Sequence, residues 1–277
     1  MIQQRLLLLL VLFTSLEHSA QNFILNTDLA KNSSASQNVT TFMIDAPQLK
    51  SNKKIWVYLP KNYTSSDKNY NVIYMQDAQN LFDISTSYAG EWNVDEKLDS
   101  LSAPIIVIGI EHGNEKRLEE LTPFTNEKYG GGKADAYLDF IVKTLKPHID
   151  KTYRTNKKKK NTTIMGSSLG GLTSFYAVLK YPEIFGKAAV FSPSFWINKE
   201  IYAITEKSSK IKTKIYFLCG DNESEDMVGD LNKMELLLNR NRCSCLNLNK
   251  KKIIKGGQHN EKLWRDGLVD AIIWLGY

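Results

Sequence analysis

Short apolar runs recur along this chain, and between the later ones lie stretches whose apolar residues return every three or four positions. The runs at 40–44, 54–59, 71–75, 105–110, 162–165, 188–191, 214–218 and 251–254 are rich in Val, Ile, Tyr and Phe and are strand-sized. Leu138, Ile141, Val142 and Leu145 fall on one helical face, as do Met227, Leu231, Met234 and Leu238, and then Trp264, Leu268, Ala271, Ile272 and Leu275. Apolar strands separated by amphipathic helices predict an α/β fold with a mostly parallel central sheet, antiparallel strands leading in, and helices on both faces. No repeat of twenty to fifty residues is visible, which excludes solenoids and propellers. No linker interrupts the alternation, so 39–277 reads as one domain.

The N-terminus follows a different pattern. Arg5 precedes an unbroken apolar run from Leu6 to Phe13, and His18-Ser19-Ala20 forms a small-residue exit before Gln21. This is the pattern of an export signal over 1–20, and the run is too short to span a bilayer, which takes roughly 20 apolar residues. The protein is therefore expected outside the cytoplasm, periplasmic or secreted, without a transmembrane segment. Residues 21–38, rich in Ser and Asn, read as a mobile leader or an edge strand.

In a parallel sheet, chemistry gathers outside the carboxyl ends of the strands. That edge receives the loops at Asp77, Glu111, Gly166, Ser192, Gly220 and Gly256. The formal charge of +6 raises a nucleic-acid reading. However, Lys157–Lys160 and Lys250–Lys252 fall where the chain runs into strands, which assigns both clusters to the opposite edge, and they lack the interleaved aromatics of a nucleic-acid groove. Three cysteines, Cys219, Cys243 and Cys245, make neither a metal-site spacing nor a disulfide scaffold, although a bridge from Cys219 to one of the others stays open. No metal or cofactor is expected.

The segment Gly166-Ser167-Ser168-Leu169-Gly170, followed by Gly171, lies between a β-branched strand and an apolar helix pattern. A G-x-S-x-G in that context is a nucleophile elbow, with Ser168 as nucleophile. A serine hydroxyl needs a base to take its proton. In the chain order that elbow serines follow, His259 is the one histidine after Ser168; His148 reads as a helix-end residue and His112 as a pocket candidate. The carboxylate that orients the imidazole must come from 219–226, where Asp221 and Glu223 are favoured because Glu225 and Asp226 begin the next helix. An oxyanion hole requires two backbone N–H groups: one from Leu169, the second from Gln79 or Ala78 in the loop after the third strand.

These motifs carry a resemblance. GSSLGG, the segment YMQDAQNLFD, the stretch from Arg117 to Pro123, SPSFWI from Ser192 and GGQHNEKLW ending at Trp264 together resemble the "putative esterase" family of α/β-hydrolases, over about 40–277. That family includes enterochelin esterase, feruloyl esterase domains, S-formylglutathione hydrolase and the mycolyltransferases. The resemblance implies cofactor-free serine hydrolase chemistry, and from the feruloyl esterase pattern it implies Glu223 as the acid. Some siderophore esterases of the family use a Ser-His pair alone. Relatives commonly carry His-Asp-Gly where this chain has Gln76-Asp77-Ala78, placing an alanine where glycine would tolerate positive φ.

The expected activity is an exported serine carboxylesterase acting on a small-molecule or glycan-linked ester of a phenolic, carbohydrate or siderophore kind. Trp92, Phe124, Phe195 and Trp196 are candidates for an aromatic wall, or equally for core plugs beneath the loops. Arg117 is a candidate anion contact, or a partner of Glu119 or Glu120. An acyltransferase with the same triad and a non-catalytic binding protein on the same fold are the competing readings.

Overall fold

The eight strand-sized runs form one sheet, and the near-continuous hydrophobicity of its inner strands reflects burial on both faces. The protein is described here by a computed structural model over residues 33–208, 211–240 and 248–277. The expected export signal, most of the expected leader, Cys243 and Cys245 lie outside these residues. The first strands, β1 (Val39–Ala46) and β2 (Ser51–Tyr58), form an antiparallel pair. They are followed by β3 (Asn71–Gln76) and β4 (Ile105–Ile110). A two-stranded hairpin, β5 (Thr125–Asn126) and β6 (Gly130–Gly131), stands apart from the sheet. The sheet continues with β7 (Thr162–Ser167), β8 (Lys187–Phe191), β9 (Lys214–Gly220) and β10 (Asn249–Ile254).

The strand order is β1-β2-β4-β3-β7-β8-β9-β10. β4, β3, β7, β8, β9 and β10 are mutually parallel, and β2 is antiparallel to both its neighbours. This is the α/β-hydrolase arrangement. Chain order reverses beside β3, so the ends of β3 and β7 flank the crevice at the switch point where such sheets bind ligands.

Helices close both faces. On one side, α1 (Val94–Ser100) and α8 (Glu261–Leu275) cover a core of Ile73, Val107, Met165, Phe191 and Leu218. On the other lie α2 (Arg117–Leu121), α3 (Ala134–Phe140), α4 (Lys146–Thr152), α5 (Leu169–Lys180), α6 (Glu200–Lys207) and α7 (Met227–Arg240). A π-helical turn over Ile141–Leu145 joins α3 to α4. Pro147 lies in the first turn of α4, and its missing N–H accounts for the loosened hydrogen-bond ladder there. α8 starts at Asn260, whose side chain accepts from Leu263 N, the usual N-cap bond.

The structure revises one expectation and refines another. Ser33–Ser36, at the end of the expected mobile leader, are tied down: Ser33 Oγ donates to Asp83, Ser34 Oγ to Glu91 and Ser36 N to Asp95. Lys157–Lys160 are exposed ahead of β7 as expected. Lys250–Lys252, by contrast, form part of β10 itself, and strand alternation sends them to opposite faces. Lys250 and Lys252 reach Asp270 on α8, while Lys251 reaches Glu235 on α7. Among the described residues, no helix is long and apolar enough to cross a membrane.

One buried ion pair fixes α2. Lys53 of β2 meets Glu120, both almost fully buried, and Glu120 also accepts from Gly113 N. Removing one member of such a pair leaves an uncompensated charge in the interior. Glu120→Ala is expected to lose about 3–5 kcal/mol of stability, seen as a lower urea midpoint with unchanged slope.

Candidate active site

β7 ends in a turn that the backbone holds in an uncommon conformation. Ser168 has φ 57° and ψ −122°, anchored by Ser168 N donating to Phe191 O and by Leu172 N donating to Ser168 O. The elbow requires α5 to lie almost against β3. A Cβ on Gly170 would stand 2.9 Å from the Gln76 Cβ and 3.1 Å from Asp77 Oδ2.

At the next strand ends, β9 and β10 bring two loops into backbone contact. A Cβ on Gly220 would stand 2.1 Å from Gly257 O. Asn222 N donates to Gly257 O at 3.0 Å, Asp221 N to Ile254 O at 3.1 Å, and Gly256 N to Asp221 Oδ1 at 2.6 Å. Asp221 is thus engaged in joining the two loops. Glu223, its side chain buried, is the carboxylate that faces His259, with Oε2 2.7 Å from Nδ1. Its other oxygen accepts from Ser192 Oγ at 2.7 Å and Gly220 N at 2.5 Å. His259 Nε2 then stands 3.0 Å from Ser168 Oγ. The three side chains proposed from the sequence meet in one hydrogen-bonded line.

Three further residues belong to this arrangement, and sequence reasoning gave them no role in it. Ser192, at φ 41°, donates to Glu223 and accepts from Trp264 Nε1 at 2.8 Å. Trp264 also sets its ring edge-on to the His259 imidazole, 5.0 Å between centroids at 89°. Ser194 Oγ lies 3.2 Å from Ser168 Oγ. The only signal for the two serines was their position just past a strand end, within SPSFWI.

The loop after β3 carries the second expected N–H. Ala78–Asn80 form a 3₁₀ turn, and the positive φ falls on Asp77, at 57°. Aspartate adopts the left-handed region more readily than most residues, so alanine at 78 is accommodated without strain. Asp77 is clamped by Arg117 through two parallel bonds, Nε to Oδ1 at 2.7 Å and Nη2 to Oδ2 at 2.9 Å. Burial alone would lower the Arg117 pKa, but the Asp77 carboxylate outweighs it and the net direction is up. Arg117 therefore pairs with neither neighbouring glutamate. Glu119 is taken by Lys133 and Glu120 by Lys53.

The aromatic candidates divide. Trp92, 3% exposed, stacks on Phe191, and Phe195, 0% exposed, packs on Phe175 and Tyr202, so both are core rather than pocket residues. Phe124 is half-buried against Tyr176. Trp196 is 48% exposed and meets Tyr129 edge-on at 5.7 Å. It lines a cavity of about 250 Å³ with Ser224, Asp226, Met227 and Asp230. His112 stands beyond β4, its Nδ1 accepting from Asn114 N; burial pushes its pKa down, with Asp77 partly opposing. Cys219 is a buried free thiol, pushed up to about 12 by burial and then by Glu223.

The model of the family described as "Putative esterase" matches residues 46–275. The chain belongs to this esterase family. It is an ester hydrolase of the α/β-hydrolase fold. The uncharacterised protein YbbA of Bacillus subtilis is 27% identical over 240 residues, covering 81% of this chain and 92% of that protein. The ferri-bacillibactin esterase BesA of the same species is 32% identical over 145 residues, covering 47% of this chain and 50% of its own length. Among solved structures, the BES protein of Bacillus cereus superposes with a TM-score of 0.72 at 22% identity, covering 91% of this esterase and 100% of that chain.

The contact between Gly170 and the loop after β3 generates a test. Gly170→Ala is expected to push Gln76 and Asp77 away from the elbow and lower kcat on an ester by ~10²-fold, the usual scale for a displacement of about 1 Å in a catalytic constellation. Overpacking there should cost about 1–3 kcal/mol, so circular dichroism should still report a folded protein.

Proposed function

We propose that this esterase is an exported serine carboxylesterase working through Ser168, His259 and Glu223. The observation that carries this reading is the continuous line from Ser168 Oγ through His259 to Glu223, at 3.0 and 2.7 Å. Ser168 Oγ attacks the ester carbonyl as His259 Nε2 takes its proton. Glu223 holds Nδ1–H toward itself and steadies the imidazolium that forms. The tetrahedral oxyanion is received by the N–H groups of Leu169 and Gln79. Removing one such donor costs about 2.7–4 kcal/mol of barrier in a characterised case. As the intermediate collapses, His259 returns the proton to the leaving alcohol. Water, activated by the same imidazole, then releases the acid and restores Ser168.

The export reading rests on Arg5 and the apolar run Leu6 to Phe13. For the substrate, Trp196, edge-on to Tyr129, offers an exposed aromatic face in a cavity that also holds Ser224, the residue after Glu223. The same cavity has Asp226 and Asp230 in its wall. Carboxylates there repel an anionic acyl group and accept hydrogen bonds from hydroxyls. This favours a neutral phenolic or carbohydrate ester over an anionic catecholate ester of the siderophore kind.

Fluorophosphonate labelling is expected to modify Ser168 in the wild type and not in Ser168→Ala; an unlabelled wild type would leave a non-catalytic scaffold. Ser168→Ala and His259→Ala should each lower turnover on the order of 10⁶-fold. Glu223→Gln should cost more than Asp221→Asn, and the reverse order would give the acid role to Asp221. Methyl ferulate should be cleaved with higher kcat/KM than a cyclic catecholate trilactone. Changing Asp226 and Asp230 together to Asn should narrow that ratio.

A further inference from the structure

Glu91, Asp95 and Glu96 sit where the chain passes from the loop after β3 into α1. One carboxylate oxygen from each lies within 4.8 Å of those of the others. Glu91 is 3% exposed and Asp95 0%, while Glu96 faces solvent. Two acidic residues in the first turn of a helix are commonplace, because the helix dipole favours them. That effect does not require burial, and it does not extend to Glu91, which precedes the helix.

The hydrogen bonds around the cluster are incomplete in a specific way. Glu91 Oε2 accepts from Ser34 Oγ at 2.9 Å, and Asp95 Oδ2 accepts from Ser36 N at 2.7 Å. Glu91 Oε1 and Asp95 Oδ1 are buried and meet no donor among the described residues, and the same holds for Ser36 Oγ alongside them. A buried carboxylate oxygen without a donor costs free energy that a fold does not spend without return. No lysine or arginine forms an ion pair with any of the three carboxylates among the described residues.

We propose that Glu91, Asp95 and Glu96, beside the Ser36 hydroxyl, form a site for a divalent cation of the calcium class. Calcium binds oxygen at 2.3–2.6 Å, so two of its ligands stand at most about 4.6–5.2 Å apart. The carboxylates meet this spacing as they stand. Calcium takes six to eight oxygens in a flexible shell, which two-oxygen coordination by the carboxylates and water on the exposed Glu96 side would fill. Zinc and copper prefer nitrogen or sulfur, and the cluster has neither.

The cation would join three segments. Ser34 and Ser36 belong to the N-terminal stretch, Glu91 and Asp95 to the entrance of α1, and the segment around Glu91 is in turn bound to the loop after β3. Trp92 N donates to Asn80 O at 2.9 Å and Val94 N to Leu81 O at 3.0 Å. Asn80 directly follows Gln79, so the ion braces the oxyanion loop from behind.

The test uses the full chain stripped with EDTA. Adding CaCl₂ at ~100 times its dissociation constant is expected to raise the melting temperature by roughly 5–10 °C. Terbium should bind at the same place and luminesce on tryptophan excitation, given Trp92 next to Glu91. Asp95→Asn, which removes a buried charge without changing shape, should abolish both signals while melting no lower than the wild type in EDTA. If Asp95→Asn fails to fold, the exposed Glu96→Gln should still weaken calcium binding at least ~10-fold by titration calorimetry, a loss within the range seen on disturbing metal sites. A wild type that neither shifts its melting temperature nor sensitises terbium would overturn the site. So would an undiminished calcium response in Asp95→Asn or in Glu96→Gln. Magnesium at the same concentration should produce a smaller shift, because it demands a tighter octahedron at 2.0–2.1 Å.

Discussion

Side chains that would separate the backbones are missing where the loops of this site converge, and the rest of the arrangement depends on that. α5 approaches β3 because Gly170 presents no Cβ to Gln76, and the β9 and β10 loops touch because Gly220 presents none to Gly257. The first contact places Ser168 next to the Asp77 loop, the second places Glu223 behind His259. A parallel sheet supplies the common edge, but it leaves adjacent strands about 4.8 Å apart with loops that would ordinarily diverge. Glycine at these crossings converts a shared edge into hydrogen-bonding distance.

The electrostatic part of the design is layered outward from that edge. Glu223 has its lone pairs filled by Ser192, Gly220 and His259, so its charge is held by donors rather than by a cation. Asp77 has a cation, Arg117, whose planar fork fixes the carboxylate in two directions at once. Arginine is suited to this because its charge persists and its geometry matches the carboxylate. The polypeptide beneath the proposed oxyanion donors is therefore immobilised by a two-bond clamp instead of by apolar packing alone.

All eight sheet strands were legible, the inner ones because burial on both faces makes each an apolar run. α1, α2, α6 and the β5–β6 hairpin were not, being short segments rich in polar residues whose structure comes from what they pack on. Ser168 and His259 could be read from order along the chain. Glu223 could not be separated from Asp221 by spacing, because the deciding fact is that Gly256 N occupies Asp221. Trp92, Phe195 and Trp196 look alike in a sequence, and only the course of each loop turns two inward and one outward. Arg117 read as an anion contact or as a partner of Glu119 or Glu120; those glutamates are engaged by Lys133 and Lys53, and it pairs instead with Asp77, forty positions away.

β10 forms one margin of the sheet, and a strand at that position leaves a row of backbone groups able to pair with another chain. In this protein its lysines alternate between α8 and α7, each held by an acidic residue of the helix on its side. Three charged stems along one short strand make the margin costly to desolvate. Adding a further strand there would mean burying ammonium groups that the two helices now hold at the boundary with water. The consequence concerns self-association: this margin of the sheet can stay close to its neighbours at high concentration without becoming a template for fibril-like stacking.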